Sequence, residues 1–570
     1  MILLNLKLCP VALAFGLATV TVSAQIADST PGAASPGTTA KVKTGNVPVA
    51  VQAAEASIDP EKIRAHVRFL ADDLLEGRGP GLRGSELAAR YIATQFALDG
   101  LEAGGDNGSY LQQIRFVGMN AIPAKTTASL APLSGAPIPL AYGDDYTISN
   151  RTLTPSVDID APIVFVGYGV TAPEFQWNDF AGVDVKGKVI LCIVGDPPSE
   201  DPNFFAGKAL TYYGRWTYKF EQAARMGAVG ALIIHRTDLA SYGWDVVRHS
   251  NTSEKTYLAD NKDPQLEAAS WIQLEVARKL FRASNLDLDR EISAAGQRGF
   301  KPVELPVRFK AHVESTVRPF ESANVVGILP GREPGRQAVM YTAHYDHLGF
   351  VPGMAGDNVY NGAADNGTGC GILLEEARAW SEMSIRPPHD IIFASVTAEE
   401  QGLLGSEYLG QHPPIPAHEI ALDINYDMIL PVGIPQEINV NGAQRTDFYP
   451  VVQAAARRFG LEIVPDPRPE AGSYYRSDHF SLSRVGIPAF SIDTGSLFEG
   501  HDRAWGVAQE KDYNDNRYHN FSDNYTPDMD FRGNAKLARF GMDLGWQAVT
   551  APKTIRWKPG DEFEAARNRP

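Results

Sequence analysis

Apolar residues recur at helical spacing from residue 58 onward. Ile63, Val67, Leu70 and Leu74 form one stripe and Leu87, Tyr91, Ile92 and Phe96 a second, with the run Gly77-Arg78-Gly79-Pro80-Gly81 breaking the chain between two helices. Between about 155 and 300 the texture changes to strand-like apolar runs at 163–168 and 189–194, a helix over 217–226 and a further apolar run at 231–234, separated by glycine-rich turns. From about 305 on, strands and helices alternate. Strands are expected at 339–343, 391–397, 420–426 and 487–492, and helices at 368–382, 403–411, 446–459 and 530–549. Alternation of this kind predicts an α/β fold, a mixed and largely parallel sheet flanked by helices and joined by right-handed crossovers. No internal repeat is found.

The ends of the chain read differently. Residues 1–24 carry Lys7, an apolar run over 11–22 and the small-residue ending Val22-Ser23-Ala24, the pattern of a cleaved secretory signal. The apolar run is shorter than the roughly 20 residues that span a bilayer, and no later stretch is long and apolar enough to do so. Residues 25–57, rich in Ala, Ser, Thr, Pro and Gly, are expected to be a disordered linker or pro-segment. A folded domain is expected over 58–154 and 305–550, interrupted by an insert over 155–304 and followed by a tail over 551–570.

At 570 residues the chain is too long for one small binding module, and 44% hydrophobic with 21% charged residues fits a globular protein with a sizeable core. Fifty-two basic against 68 acidic residues give a net charge of −16, which repels nucleic acid. Signal cleavage removes Cys9 and leaves Cys192 and Cys370, one in a strand-like run and the other at a glycine-rich helix start, so both are expected to be buried free thiols.

In an open α/β sheet, ligands gather at the carboxyl ends of the strands. The first strand of the alternating region ends in His344-Tyr345-Asp346-His347, the next in Ala398-Glu399-Glu400, and the third in Asp427. Three successive strand ends carrying metal-type side chains are improbable as ordinary surface loops. The loop Asn361-Gly362-Ala363-Ala364-Asp365-Asn366-Gly367-Thr368-Gly369 adds a carboxylate before a helix. It has neither the lysine of a P-loop nor dinucleotide-binding spacing. Far downstream, Tyr518-His519 supplies another imidazole.

Together these stretches resemble the co-catalytic zinc aminopeptidase family, which includes bacterial leucyl-type aminopeptidases and, more distantly, glutamate carboxypeptidase and the transferrin receptor. The resemblance is carried, in family order, by His-Tyr-Asp at 344–346, Gly-Ala-Ala-Asp-Asn-Gly-Thr-Gly at 362–369, Thr-Ala-Glu-Glu-Gln-Gly-Leu-Leu-Gly-Ser at 397–406, Asn-Tyr-Asp-Met at 425–428, Ser-Asp-His-Phe at 477–480, and Tyr518, His519 and Asp523. It implies a zinc exopeptidase fold of phosphorylase/hydrolase type with a β-rich, protease-associated insert. It further implies a secreted or periplasmic aminopeptidase that cuts N-terminal residues from peptides. A carboxypeptidase or dipeptidase acting on acidic peptides, a single-zinc glutaminyl cyclase and a non-catalytic receptor are the alternatives. Retention of a full ligand set with Glu399 argues against the last of these.

The resemblance also implies residue roles. Two zinc ions per chain would be held by His344, Glu400 and bridging Asp365 at one position, and by Asp365, Asp427 and His519 at the other, with a shared water as nucleophile. Asp346 would hydrogen-bond the free ring nitrogen of His344. Glu399 would be the general base and Tyr518 the phenol that stabilises the oxyanion. A cis peptide is expected between Asp365 and Asn366. Asp478 and His479 match a cleft motif without an assignable step. His66, His235, His389, His412, His418 and His501 fall outside the motifs and read as structural or exposed.

Overall fold

The computed structural model describes residues 47–240 and 242–567. The expected signal sequence and most of the expected linker lie outside the described residues.

The long apolar runs of the C-terminal half become strands buried on both faces, as the interior of a parallel sheet requires. Ala338–His344 is central. It pairs in parallel with Ile391–Val396 on one side and Ile420–Tyr426 on the other, and Ile420–Tyr426 pairs in parallel with Ala489–Thr494. Glu437–Asn441 and Leu111–Ala121 extend this sheet, the former antiparallel to Ala489–Thr494 and the latter antiparallel to the long strand Val303–Leu329. Helices Pro60–Leu70, Arg83–Leu98, Gly369–Ser381 and Arg532–Val549 cover one face, closing a core that includes Phe96, Tyr341, Trp380, Phe393 and Phe540. The α/β architecture expected from the alternation is therefore present.

The insert is wider than expected. Its sheet runs, in spatial order, through Ile138–Leu140, Thr127–Pro132, the first half of Val303–Leu329, Ser156–Phe165, Val189–Ile193, Gly230–His235, Ala268–Gln273 and Tyr146–Ser149. It builds cores of its own around Phe165, Leu191 and Phe281 on one face and Ile190, Phe220 and Trp271 on the other. Val303–Leu329 is the reason no break marks the exit from this module. Its residues 303–314 pair within the insert and 315–329 pair within the main sheet, so the boundary falls inside one continuous strand.

Both expected flanks are corrected where they are described. Val49–Ser57 is a helix whose Val51 and Ala54 are buried in the main core, although its alanine-rich composition resembles a linker. The segment after 550 is tied down as well. Ile555, Trp557 and Phe563 are buried, and Asp561 and Glu562 ion-pair with Arg445. Cys192 and Cys370 are free and buried, as expected. No helix among the described residues is long and apolar enough to cross a membrane.

Trp557→Ala is therefore expected to cost about 3–5 kcal/mol of unfolding free energy in denaturant titration, as for truncation of other buried large side chains. A loss below about 1 kcal/mol would show that this segment is an appendage.

Candidate metal centre and cleft

Sheet register brings the chemistry together. His344 lies level with Val396 on one neighbouring strand, and Thr342 lies level with Asn425 on the other, so Asp427 emerges beside His344. Ala398, at φ +55°, turns the chain sharply after its strand and presents Glu399 and Glu400 to the same place. Asp365 arrives from the loop before helix Gly369–Ser381, and His519 from the end of helix Arg503–Asn516.

The five expected ligands converge, but in a different division from the expected one. His344 Nε2 lies 3.2 Å from Asp427 Oδ1 and 3.4 Å from Asp365 Oδ1. His519 Nε2 lies 3.0 Å from Glu400 Oε2 and 3.2 Å from Asp365 Oδ2. Asp365 lies between the two imidazoles, with one oxygen toward each, whereas His344 is grouped with Asp427 and His519 with Glu400. The physical reason is the sheet: Asp427 follows the strand adjacent to His344 at matching height, while Glu400 reaches one residue further along its loop.

Asp346 also differs from expectation. Its carboxylate oxygen is 3.8 Å from His344 Nδ1, too far for a hydrogen bond, and its backbone carbonyl takes that place at 3.2 Å. The carboxylate instead accepts the backbone N–H groups of Glu399 and Glu400 at 3.1 and 3.4 Å, so it fixes the loop that carries both glutamates.

His347 is the residue that sequence reasoning left without a role. It is buried, and its Nδ1 lies 2.6 Å from Glu400 Oε1, on the carboxylate oxygen opposite the one facing His519. His347, Asp365 and Glu400 offer ligand atoms within 4.8 Å of one another, as do His344, Glu399 and Asp427. The signal was present in His344-Tyr345-Asp346-His347. The second imidazole comes three residues after the first, and a chain leaving a strand can turn both toward one point.

Surrounding residues hold this arrangement rigid. The Asp523 carboxylate accepts the N–H groups of Ala364 and Asp365 and the Tyr513 hydroxyl. Asn366 donates to the Tyr426 carbonyl at 2.9 Å and accepts from Gly369 N and Met428 N, stitching the Asp365 loop to the strand that leads to Asp427. The Asp365–Asn366 peptide is cis, as expected. Gly362 has φ +58°, and a Cβ there would meet the Asp365 carbonyl oxygen at 2.2 Å and the His347 ring at 2.7 Å. Arg78, fully buried, donates to the carbonyls of Leu70, Tyr345, Asn361 and Gly362 and so ties the N-terminal helices to both ligand-bearing loops.

The electrostatics follow from crowding. Burial pushes the Glu399 carboxyl well above the usual carboxylate range. Burial and Asp365 act on Glu400 in the same sense, but the His519 and His347 imidazoles outweigh them and hold it at about 2. Burial disfavours the charged ring of His519, yet Glu400 and Asp365 bring it up to about 10. Asp478 is buried close to His344, Asp427 and Glu400, and burial lifts its carboxyl to about 7. His479 turns away and packs its ring edge-on against Tyr474. Tyr518 is 44% exposed, stacks on His519 with ring centres 3.9 Å apart, and lines the same cleft as Glu399 and Glu400.

The donor set suits divalent cations. Asp365, Glu399, Glu400 and Asp427 carry four negative charges when ionised, a number that two dications neutralise, and imidazole with carboxylate is a ligand mixture suited to zinc.

Residues 324–538 match the profile of Peptidase family M28. The leupeptin-inactivating enzyme 1 of Streptomyces exfoliatus is 29% identical over 48% of this chain and 60% of its own length. Aminopeptidase YwaD of Bacillus subtilis is 29% identical over 34% of this chain and 39% of its own length. These alignments thus span less than two thirds of the curated relatives they match. A solved aminopeptidase from Aneurinibacillus sp. strain AM-1 superposes with a TM-score of 0.47 at 18% identity, covering 89% of this chain and 97% of that one.

Replacing Arg78 by Leu leaves four buried carbonyls without their donor. It is expected to cost about 3–5 kcal/mol in thermal or denaturant unfolding. An effect below about 1 kcal/mol would show that these carbonyls find other donors.

Proposed function

We propose that this chain is a zinc-dependent exopeptidase of the aminopeptidase type, which releases N-terminal residues from peptides outside the cytoplasm. The observation that carries this reading is the convergence of His344, Asp365 and Asp427, and of Asp365, Glu400 and His519, with Glu399 beside them on one open cleft. The aminopeptidase names of the relatives support the choice of exopeptidase type, and the apolar leader over 11–22 supports export.

In this reading His344, Asp365 and Asp427 would hold one zinc and Asp365, Glu400 and His519 the other, with His347 bracing Glu400. Bound there, zinc would supply Lewis acidity toward the scissile carbonyl and the attacking water. Glu399 supplies the proton transfers. Its side chain stands 3.9 Å from His344 Nε2 at the mouth of the site, free of the Glu400 interactions, so it can take a proton from the attacking water and deliver it to the leaving amine. The Tyr518 phenol, on the cleft wall, donates a hydrogen bond to the oxygen on which negative charge develops. Asp346 acts through the backbone, keeping the Glu399-Glu400 loop in register. The inserted module forms the opposite wall of the cleft and is proposed to be a protease-associated domain that sets substrate reach.

Glu399→Gln should lower turnover on an aminoacyl p-nitroanilide by about 10²- to 10⁴-fold while zinc content stays near the wild-type value. Glu400→Gln should lose zinc first, with activity falling as a consequence. If the two outcomes are exchanged, the roles are exchanged.

The ligand division has its own test. The double variant His344→Ala/Asp427→Asn should retain about half of the wild-type zinc by elemental analysis, because both changes fall on one position. His344→Ala/Glu400→Gln should lose nearly all of it, because both positions are damaged. The opposite ranking would restore the division read from the sequence.

A further inference from the structure

Two imidazoles address Glu400, one at each carboxylate oxygen. His519 Nε2 stands 3.0 Å from Oε2, and His347 Nδ1 stands 2.6 Å from Oε1. The two separations have different physical meanings. Ligand atoms about 2.1 Å from one zinc in a tetrahedral arrangement lie roughly 3.4 Å apart. The pairs His344–Asp365, His344–Asp427, His519–Asp365 and His519–Glu400 stand 3.4, 3.2, 3.2 and 3.0 Å apart, close to that spacing. Atoms only 2.6 Å apart would subtend about 75–80° at such an ion, far below the tetrahedral angle. The contact of His347 with Glu400 is instead a short, charge-assisted hydrogen bond. A carboxylate oxygen only accepts, so His347 Nδ1 carries the proton.

The His347 ring is committed to this one contact. It is fully buried, and its Nε2 has no hydrogen-bond partner among the described residues. Unlike the rings of His344 and His519, it forms no ion pair with Asp365. The backbone of Gly362 packs against it so closely that a Cβ there would meet the ring at 2.7 Å, and the His347 N–H reaches the Arg78 carbonyl at 3.4 Å. Buried polar atoms are ordinarily hydrogen-bonded. A wedged ring that leaves one nitrogen idle while the other stays on Glu400 is placed for that contact rather than for the fold at large.

We infer that His347 is a positioning residue that sets metal preference: by occupying Oε1 of Glu400 it leaves only Oε2 for a cation, which favours zinc over cations that need more oxygen ligands. The inference rests on the metallopeptidase reading above and concerns which cation the chain selects. One oxygen of Glu400, one of Asp365 and Nε2 of His519 make three donors, the number that suits a zinc with one place left open. A freed Oε1 would add a fourth donor and fill that place. Manganese, magnesium and calcium prefer six or more ligands, mostly oxygen, and gain from a carboxylate that offers both of its atoms.

The test measures zinc and manganese affinity by competition with a chromophoric chelator, on the full chain carrying His344→Ala/Asp427→Asn so that only the Glu400 position is read. Adding His347→Leu should weaken zinc by about 10- to 100-fold, as loss of a ligand's hydrogen-bond partner does, and manganese by less than about threefold. The preference for zinc then narrows by about tenfold. His347→Asn, whose amide nitrogen can stand where Nδ1 does, should keep the preference within about threefold of the parent. Equal weakening of both metals by His347→Leu is what a merely structural role would give, and it overturns the inference. The second measurement is the structure of zinc-loaded crystals, which needs no variant and so decides the question if His347→Leu folds poorly. Wild type should show one Glu400 oxygen within the roughly 2.0–2.2 Å of a zinc–carboxylate bond and the other on His347. Two ligating Glu400 oxygens in wild type, or a His347 nitrogen bonded to zinc, also overturn it. A wild-type chain that binds no zinc overturns the metallopeptidase reading, and the inference falls with it.

Discussion

Four carboxylates, those of Asp365, Glu399, Glu400 and Asp427, are gathered at one edge of a buried sheet with the imidazoles of His344, His347 and His519 among them. Two like charges about 4 Å apart repel by roughly 4 kcal/mol at an effective dielectric constant near 20. The fold has to hold such pairs together against that repulsion. Positive charge supplied at the centre turns the same geometry from a liability into a binding site, and this constraint explains much of the local architecture.

The parallel strands provide the stiffness. Ala338–His344, Ile391–Val396 and Ile420–Tyr426 are buried on both faces and deliver their last residues to a common level. A second layer then fixes the loops. Asp523 binds the backbone around Asp365, Asn366 joins that loop to Tyr426 and Met428, Asp346 binds the backbone of Glu399 and Glu400, and Arg78 gathers four carbonyls from three separate segments. Each of these contacts uses a backbone group at one end, so the ligand side chains keep their own polar atoms for the centre.

How much of this was legible in the sequence depends on the range of the cause. The strand–helix alternation after 305 is a local pattern, and the strands came out within two residues of where periodicity puts them. The convergence of the five candidate ligands and Glu399 was legible because their motifs are contiguous and ordered. What eluded the sequence was set by distance in space. Pairing His344 with Asp427 follows from sheet register, which no single segment reveals. The role of Asp346 depends on a backbone 53 residues away. The width of the insert was hidden because one 27-residue strand serves two sheets. Helix Val49–Ser57 and the segment after 550 look like linker by composition and gain order only from burial against the core.

The central claim is that this centre is a pair of cation positions sharing Asp365, with Glu399 left free. Diffraction from zinc-loaded crystals at wavelengths on either side of the zinc absorption edge tests it most directly. The account predicts two anomalous peaks, one among His344, Asp365 and Asp427 and one among Asp365, Glu400 and His519, with no Glu399 oxygen within the roughly 2.0–2.2 Å of a zinc–carboxylate bond. A single peak, or a peak ligated by Glu399, would contradict it.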